Sequence, residues 1–158
     1  MEHIIEEEVR NIANIDYGHF LPYYEGKCNR LHYHTSWNIS ITLKGRMVEG
    51  ERMLIDFIRV KELVKQTLAE YDHKMILPSY TVKKIENNIV FAEYENRKLE
   101  LPRDEVVISD KDSTAENIAN HIAEMILTRL PPHIFSLILH FGEGVNNYIH
   151  AKVERKWL

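Results

Sequence analysis

Hydrophobic and polar positions change period along this chain, and the changes mark its elements. Residues 3 to 21 alternate loosely and carry no helix-length apolar stripe, which predicts a long, partly exposed strand broken at Gly18 and ended by Pro22. Tyr23 to Arg30, with Gly26, reads as a loop. From His32 to Leu43 a second strand follows, apolar at every other position through Trp37, Ile39, Ile41 and Leu43. After a turn at Gly45 to Glu51, Asp56 stands as a helix N-cap before Val60, Leu63, Val64, Thr67, Leu68 and Tyr71, which follow one helical face.

A second helix begins near Ser113, which has capping-box spacing to Glu116. It continues through Ile118, Ile122, Met125, Ile126 and Leu130 and is stopped by Pro131-Pro132. Two more strands, about 134–141 and 147–154, are joined through Gly142, Gly144 and Asn146. Between the helices, residues 76–111 are too many for a bare loop. Alternation around Val82, Phe91 and Leu99, with a turn signal at Asn87-Asn88, predicts an inserted β element there. The expectation is one α+β domain over 1–158, in the order ββ-α-(β insert)-α-ββ.

Composition narrows the function classes. With 20 Lys+Arg against 24 Asp+Glu the chain is acidic, whereas a general nucleic-acid binder needs a basic footprint, so no nucleic-acid partner is expected. Ile134 to Phe141 is too short to span a bilayer, and the first ten residues lack the apolar core of a secretory leader. No membrane partner is expected, and the single cysteine suits a reducing cytoplasm.

Nine histidines beside one cysteine are the unusual feature. His32 and His34 leave the same face of a strand, and antiparallel pairing with the preceding strand would bring His19 to them. Three neutral imidazoles and an open position describe a catalytic zinc site. On spacing alone, three ordinary core or surface histidines are the more frequent outcome. Cys28, beside Lys27 on the intervening loop, is either a thiolate acting as base or nucleophile, or an inert small side chain. Asp72-His73 closes the first helix as a proton-shuttling pair or as a surface charge pair. Glu154, in the last strand, offers acceptors to a ligand with adjacent N–H groups or is simply solvated.

Read together, Gly26-Lys27-Cys28-Asn29-Arg30-Leu31-His32-Tyr33-His34 resembles the 6-pyruvoyltetrahydropterin synthase / 6-carboxytetrahydropterin synthase family, whose signature is a cysteine, three or five residues, then His-Gly-His. Met53 to Phe57, Tyr71-Asp72-His73-Lys74, Thr114 to Ala119 and Val153-Glu154 match further family segments in order. Tyr33 stands in place of the usual glycine, and Ile15-Asp16-Tyr17-Gly18 replaces a small-residue run.

The resemblance implies a tunnelling fold (T-fold): a four-stranded antiparallel sheet with two helices on one face, joined edge to edge into homotrimers or homohexamers with pockets at subunit contacts. It implies Zn2+ held by His19, His32 and His34, Cys28 as the proton-abstracting thiolate, Asp72 and His73 as the partner acid/base pair, and Glu154 as the anchor of a pterin substrate. The three-residue spacing from Cys28 to His32 is like that of 6-carboxytetrahydropterin synthases, which act on 7,8-dihydroneopterin triphosphate and feed 7-deazaguanine (queuosine or archaeosine) synthesis. Two other readings are aldol-type cleavage of dihydroneopterin, whose enzymes usually place a glutamate near this cysteine (here only Glu25), and a non-catalytic pterin-binding module.

Overall fold

The computed structural model describes residues 3–156, so the outermost ends of the expected 1–158 domain lie outside the described residues. In chain order the elements are β1 (His3–His19), β2 (His32–Met47), α1 (Phe57–Ala69), β3 (Lys74–Pro78), β4 (Val82–Glu86), β5 (Ile89–Tyr94) and β6 (Arg97–Pro102). They continue with β7 (Val106–Ser109), α2 (Ala115–Arg129), β8 (Ile134–Glu143) and β9 (Asn147–Glu154).

Strands β1, β2, β8 and β9 pair antiparallel in the order 1-2-8-9. The sheet they belong to is not four-stranded, however. It has six strands, ordered β7-β3-β1-β2-β8-β9, and a separate three-stranded sheet is ordered β4-β5-β6. Strand β3 pairs parallel to β1, and β7 pairs parallel to β3. The segment expected as a self-contained β insert therefore divides. Its two ends complete the main sheet, and only β4–β6 stand apart. Met75 to Pro78 are all buried, so β3 shows no alternation; a strand covered on both faces reads as a plain apolar run.

Helix α1 starts where Asp56 caps it, its carboxylate accepting the Ile58 N–H at 2.8 Å. The cap of α2 is Thr114, whose hydroxyl accepts the Asn117 N–H at 3.2 Å, one residue after the expected Ser113. Ser113 is fully buried and committed elsewhere: its hydroxyl donates to the Phe20 carbonyl at 3.1 Å. A tertiary contact has taken the side chain that local spacing nominated.

Both helices pack one face of the sheet. Val60, Val64 and Leu68 with Ile118, Ile122 and Ile126 meet Ile15, Tyr17, Ile39, Ile41 and Leu43 in the main core. Each such Val, Leu or Ile side chain contributes roughly 1.5–3 kcal/mol when fully buried. A second core joins Phe20, Met75, Leu77 and Val106 to Val90, Ala92 and Tyr94 of the small sheet. No helix among the described residues is long and apolar enough to cross a membrane.

Strands β1 and β2 run far beyond the usual length and bend through irregularities between Val9 and Ile15. Asn11 and Asn38 take positive φ there, and the Asn38 N–H donates to the Asn14 side-chain oxygen at 2.7 Å. Beyond Ile15 the register is unbroken, through Tyr17↔His34 and Gly18↔Tyr33 to His19↔His32. That continuity places the candidate site.

Candidate metal and acid–base site

Because side chains alternate across a strand, Tyr17, His19, His32 and His34 share one face at the end of the β1–β2 ribbon. The ring centroids of His19 lie 4.4 Å from His32 and 5.0 Å from His34, and His32 is 4.7 Å from His34. One ligand atom from each of the three imidazoles lies within 4.8 Å of the others.

The ring orientations are set from behind. His19 Nδ1 donates to the Ser113 carbonyl at 2.6 Å, and His32 Nδ1 is bonded to the Arg30 carbonyl. Each carbonyl fixes the tautomer that carries hydrogen on Nδ1, leaving the Nε2 lone pair to converge on the others. His32 and His34 approach Nε2 to Nε2 at 3.1 Å. His19 Nε2 is buried and has no hydrogen-bond partner among the described residues. A buried polar atom left unpaired costs about 1–3 kcal/mol, so this one points to a group that the polypeptide does not supply.

Burial keeps His19 neutral. Desolvation lowers its pKa to about 4, assisted by His32 and His34 and opposed by the bond to Ser113. His34 is lowered by burial, against the pull of Glu143. Neutral imidazoles are what a zinc-type cation requires. The residues fit such an ion: three nitrogen donors, two of them held through backbone carbonyls, with His32 and His34 only half-buried.

Glu143, at the end of β8, brings Oε1 to 3.1 Å from His34 Nε2. It is held there because the Gly142 N–H donates to the Ser36 hydroxyl at 2.9 Å and the Gly144 N–H to the Thr35 carbonyl at 3.2 Å. Glu154 lies elsewhere. It pairs with Ser136 at the far end of the β8–β9 ladder, ion-paired to Lys152 at 3.2 Å and lining a cleft of about 510 Å³ with Asn120 and Glu124. Among the described residues of one chain, the carboxylate in contact with an imidazole of the cluster is Glu143. Nothing in the local pattern marked it, since a glutamate beside a Gly-Asn turn looks like any solvated hairpin residue.

Cys28 sits half-buried on a single 3-10 turn, Lys27–Asn29, between β1 and β2. It is not among the clustered ligand atoms. The Leu21 N–H donates to its carbonyl at 2.7 Å, tying the turn to the end of β1. Glu25 is exposed.

Asp72 and His73 are joined, Oδ1 to Nδ1, at 2.9 Å. A third member, with no motif in the sequence to mark it, joins them. Asp16 Oδ2 stands 3.7 Å from His73 Nε2, and the Asp16 N–H donates to Asp72 at 2.9 Å. The Thr35 hydroxyl holds the other Asp16 oxygen at 2.5 Å, and the His73 N–H donates to the Asp16 carbonyl at 2.7 Å. That last bond holds His73 at φ 59, a left-handed conformation that non-glycine residues rarely adopt. Asp16 is three residues from His19 in unbroken register, so the two side chains leave opposite faces of β1. Tyr33 and Gly18 lie on the Asp16 side: a Cβ at Gly18 would come within 3.1 Å of the Tyr33 ring and 2.6 Å of Met75. One chain thus carries its imidazole cluster and its carboxylate–imidazole pair on different faces.

The sequence profile of 6-pyruvoyl tetrahydropterin synthase matches residues 8–152. A Pyrococcus abyssi protein provisionally named a 6-carboxy-5,6,7,8-tetrahydropterin synthase is 38% identical over 154 residues, covering 96% of this chain and 94% of the relative. A Pyrococcus horikoshii protein with the same provisional name is 34% identical over 150 residues, covering 94% and 91%. Among solved structures, a catalytic-residue variant of Plasmodium vivax 6-pyruvoyltetrahydropterin synthase superposes with a TM-score of 0.80 at 22% identity, covering 97% of this chain and 99% of that one. At that identity the likeness is one of fold.

Proposed function

Because this chain belongs to the 6-pyruvoyl tetrahydropterin synthase family, we propose that it is a zinc-dependent lyase that converts 7,8-dihydroneopterin triphosphate to 6-carboxytetrahydropterin. Its product would serve 7-deazaguanine synthesis. The observation that carries the reading is the convergence of His19, His32 and His34 around a buried nitrogen without a partner.

Zinc on these three nitrogens would polarise the oxygens of the substrate side chain and acidify the neighbouring C–H bonds. The chain's own residues do the rest. Ser113 and Arg30 hold two rings in orientation through their carbonyls. Cys28 Sγ takes a proton from the side chain of the substrate. Asp72 fixes His73 Nδ1, so Nε2 is the atom that exchanges a proton with the substrate. Asp16 helps orient that ring. Glu143, the carboxylate beside the cluster, accepts the N–H groups of the pterin ring, the role that the resemblance assigns to Glu154.

The opposite placement of the two acid/base halves favours a site completed by a second copy of the chain. Among the described residues, strands β7 and β9 end the six-stranded sheet as edges, and edge-to-edge association into a trimer or stacked hexamer would cover them. The test is to incubate zinc-loaded protein with dihydroneopterin triphosphate and, separately, with dihydroneopterin, and to identify products by mass. Acetaldehyde with a carboxylated pterin is expected from the first. Glycolaldehyde from the second would replace this reading with aldol-type cleavage, and no product from either would leave a binding module.

A further inference from the structure

The small sheet β4-β5-β6 reaches back to the loop that carries Cys28, and its hydrogen bonds to the cysteine turn converge on one residue. Asn29, immediately after the cysteine, has every polar side-chain group engaged. Its Oδ1 accepts from Arg97 Nη1 at 2.7 Å, and its Nδ2 donates to the Leu21 carbonyl at 3.2 Å and to Glu95 Oε2 at 2.5 Å. The Asn29 carbonyl accepts from the Tyr94 hydroxyl at 3.1 Å and from Arg97 at 3.3 Å. Arg97 lies over the Tyr94 ring at 5.0 Å and beside Glu95 at 3.5 Å, which steadies the donors themselves.

The other flank of the site is gripped by the same strand. Phe20, next to His19, is fully buried and stacked on Tyr94, with centroids 4.0 Å apart and planes 7° from parallel. The Phe20 carbonyl accepts from the Ser113 hydroxyl, and the Ser113 carbonyl holds the His19 ring. The β5–β6 hairpin thus contacts the residue after the first imidazole and the residue after the thiol at once. Single charge-assisted bonds at a surface are weak, but a fully satisfied cluster around one asparagine fixes a backbone.

We propose that the β4–β6 sheet is a clamp on the Cys28 turn, and that Arg97 and Tyr94 are positioning residues that hold the turn carrying the thiol against the end of β1. This rests on the reading of Cys28 as the proton acceptor. The physical claim, that the hairpin restrains the turn, does not.

Cys28 is the chain's single cysteine, so alkylation by iodoacetamide reports on it alone. The full-length zinc-loaded protein and its Arg97→Ala, Arg97→Lys, Tyr94→Phe and Lys98→Ala variants would be compared. The measurements are amide hydrogen exchange at Leu21, Asn29 and Arg30, the rate of alkylation and its pH profile, zinc content, and steady-state kinetics. In Arg97→Ala, exchange at those amides and alkylation are expected to rise at least about tenfold, the factor that one lost hydrogen bond at the upper end of ordinary net strength would give, since Arg97 makes two bonds to Asn29. With zinc content and KM held, kcat should fall. Arg97→Lys should recover part of the loss through a single donor to Asn29, while Lys98→Ala, on the same strand but away from Asn29, should behave as wild type.

If Arg97→Ala disrupts the small sheet, Tyr94→Phe keeps the ring stack and should still raise Leu21 exchange. Unchanged exchange and alkylation in both variants would overturn the clamp. Were the wild-type protein to turn over neither pterin while exchange and alkylation responded as stated, the clamp would stand and the substrate assignment would fall.

Discussion

Replacing His19 by leucine separates the metal contribution from ordinary packing. In the metal-free protein two effects oppose each other. The variant loses the His19 Nδ1–H bond to Ser113, worth about 1 kcal/mol, and strands that carbonyl. It also removes the unpaired Nε2, relieving about 1–3 kcal/mol. At 2% exposure the site is dry enough for leucine to be at home. The metal-free variant is therefore expected within about 2 kcal/mol of metal-free wild type. Zinc changes the comparison. At a free concentration of about 100 Kd, binding to the native state alone adds about 2.7 kcal/mol, which for a chain of this size raises the melting temperature by about 8 °C. Wild type should show that rise and His19→Leu should not. The assay is a pair of thermal melts, chelated and zinc-loaded, with metal analysis of the desalted protein. A variant that kept the wild-type increment, or a wild type that had none, would refute the three-imidazole centre. A metal-free variant destabilised by much more than about 4 kcal/mol would mean that Nε2 already has a partner.

Three further outcomes are expected. Cys28→Ala should retain zinc content and melting temperature while losing turnover by at least about a hundredfold, the lower range for a general base; unaltered turnover would remove the thiol from the mechanism. Glu143→Gln should weaken pterin binding about tenfold or more in a titration, whereas Glu154→Gln should leave it unchanged, and the reverse ranking would return the anchoring role to Glu154. His140, lowered by burial and by His150 against the pull of Glu8, should titrate below 6.5 by NMR. Its midpoint should rise in His150→Gln and fall in Glu8→Gln. Since the unfolded chain binds that proton first, His140 reduces stability as the pH drops below about 6.5, and a His140→Gln variant should show a shallower loss in that range.

Local chemistry made much of this protein legible. Asp56, the α1 and α2 stripes and the alternation of β2 gave the helices and long strands without tertiary information, because side-chain period follows from backbone geometry alone. The same geometry put His32 and His34 on one face, and a single antiparallel pairing brought in His19. Other features depended on contacts between distant parts of the chain. Strand β3 was hidden because a strand buried on both faces has no polar period, and Thr114 displaced Ser113 as a cap because Phe20 had claimed the serine.

The candidate site divides along the same line. The sequence by itself determined the types of donor and their spacing: three imidazoles, one thiol and a carboxylate–imidazole pair. Only the tertiary structure decided that Glu143 rather than Glu154 reaches the cluster, that Asp16 joins Asp72 and His73, and that Tyr94 and Arg97 grip the cysteine turn. Each of these depends on where β8, α1 or β5 lands against β1 and β2. Strand register and bulges settle that placement through burial and hydrogen bonding summed over the whole sheet, and no short stretch of residues contains that sum.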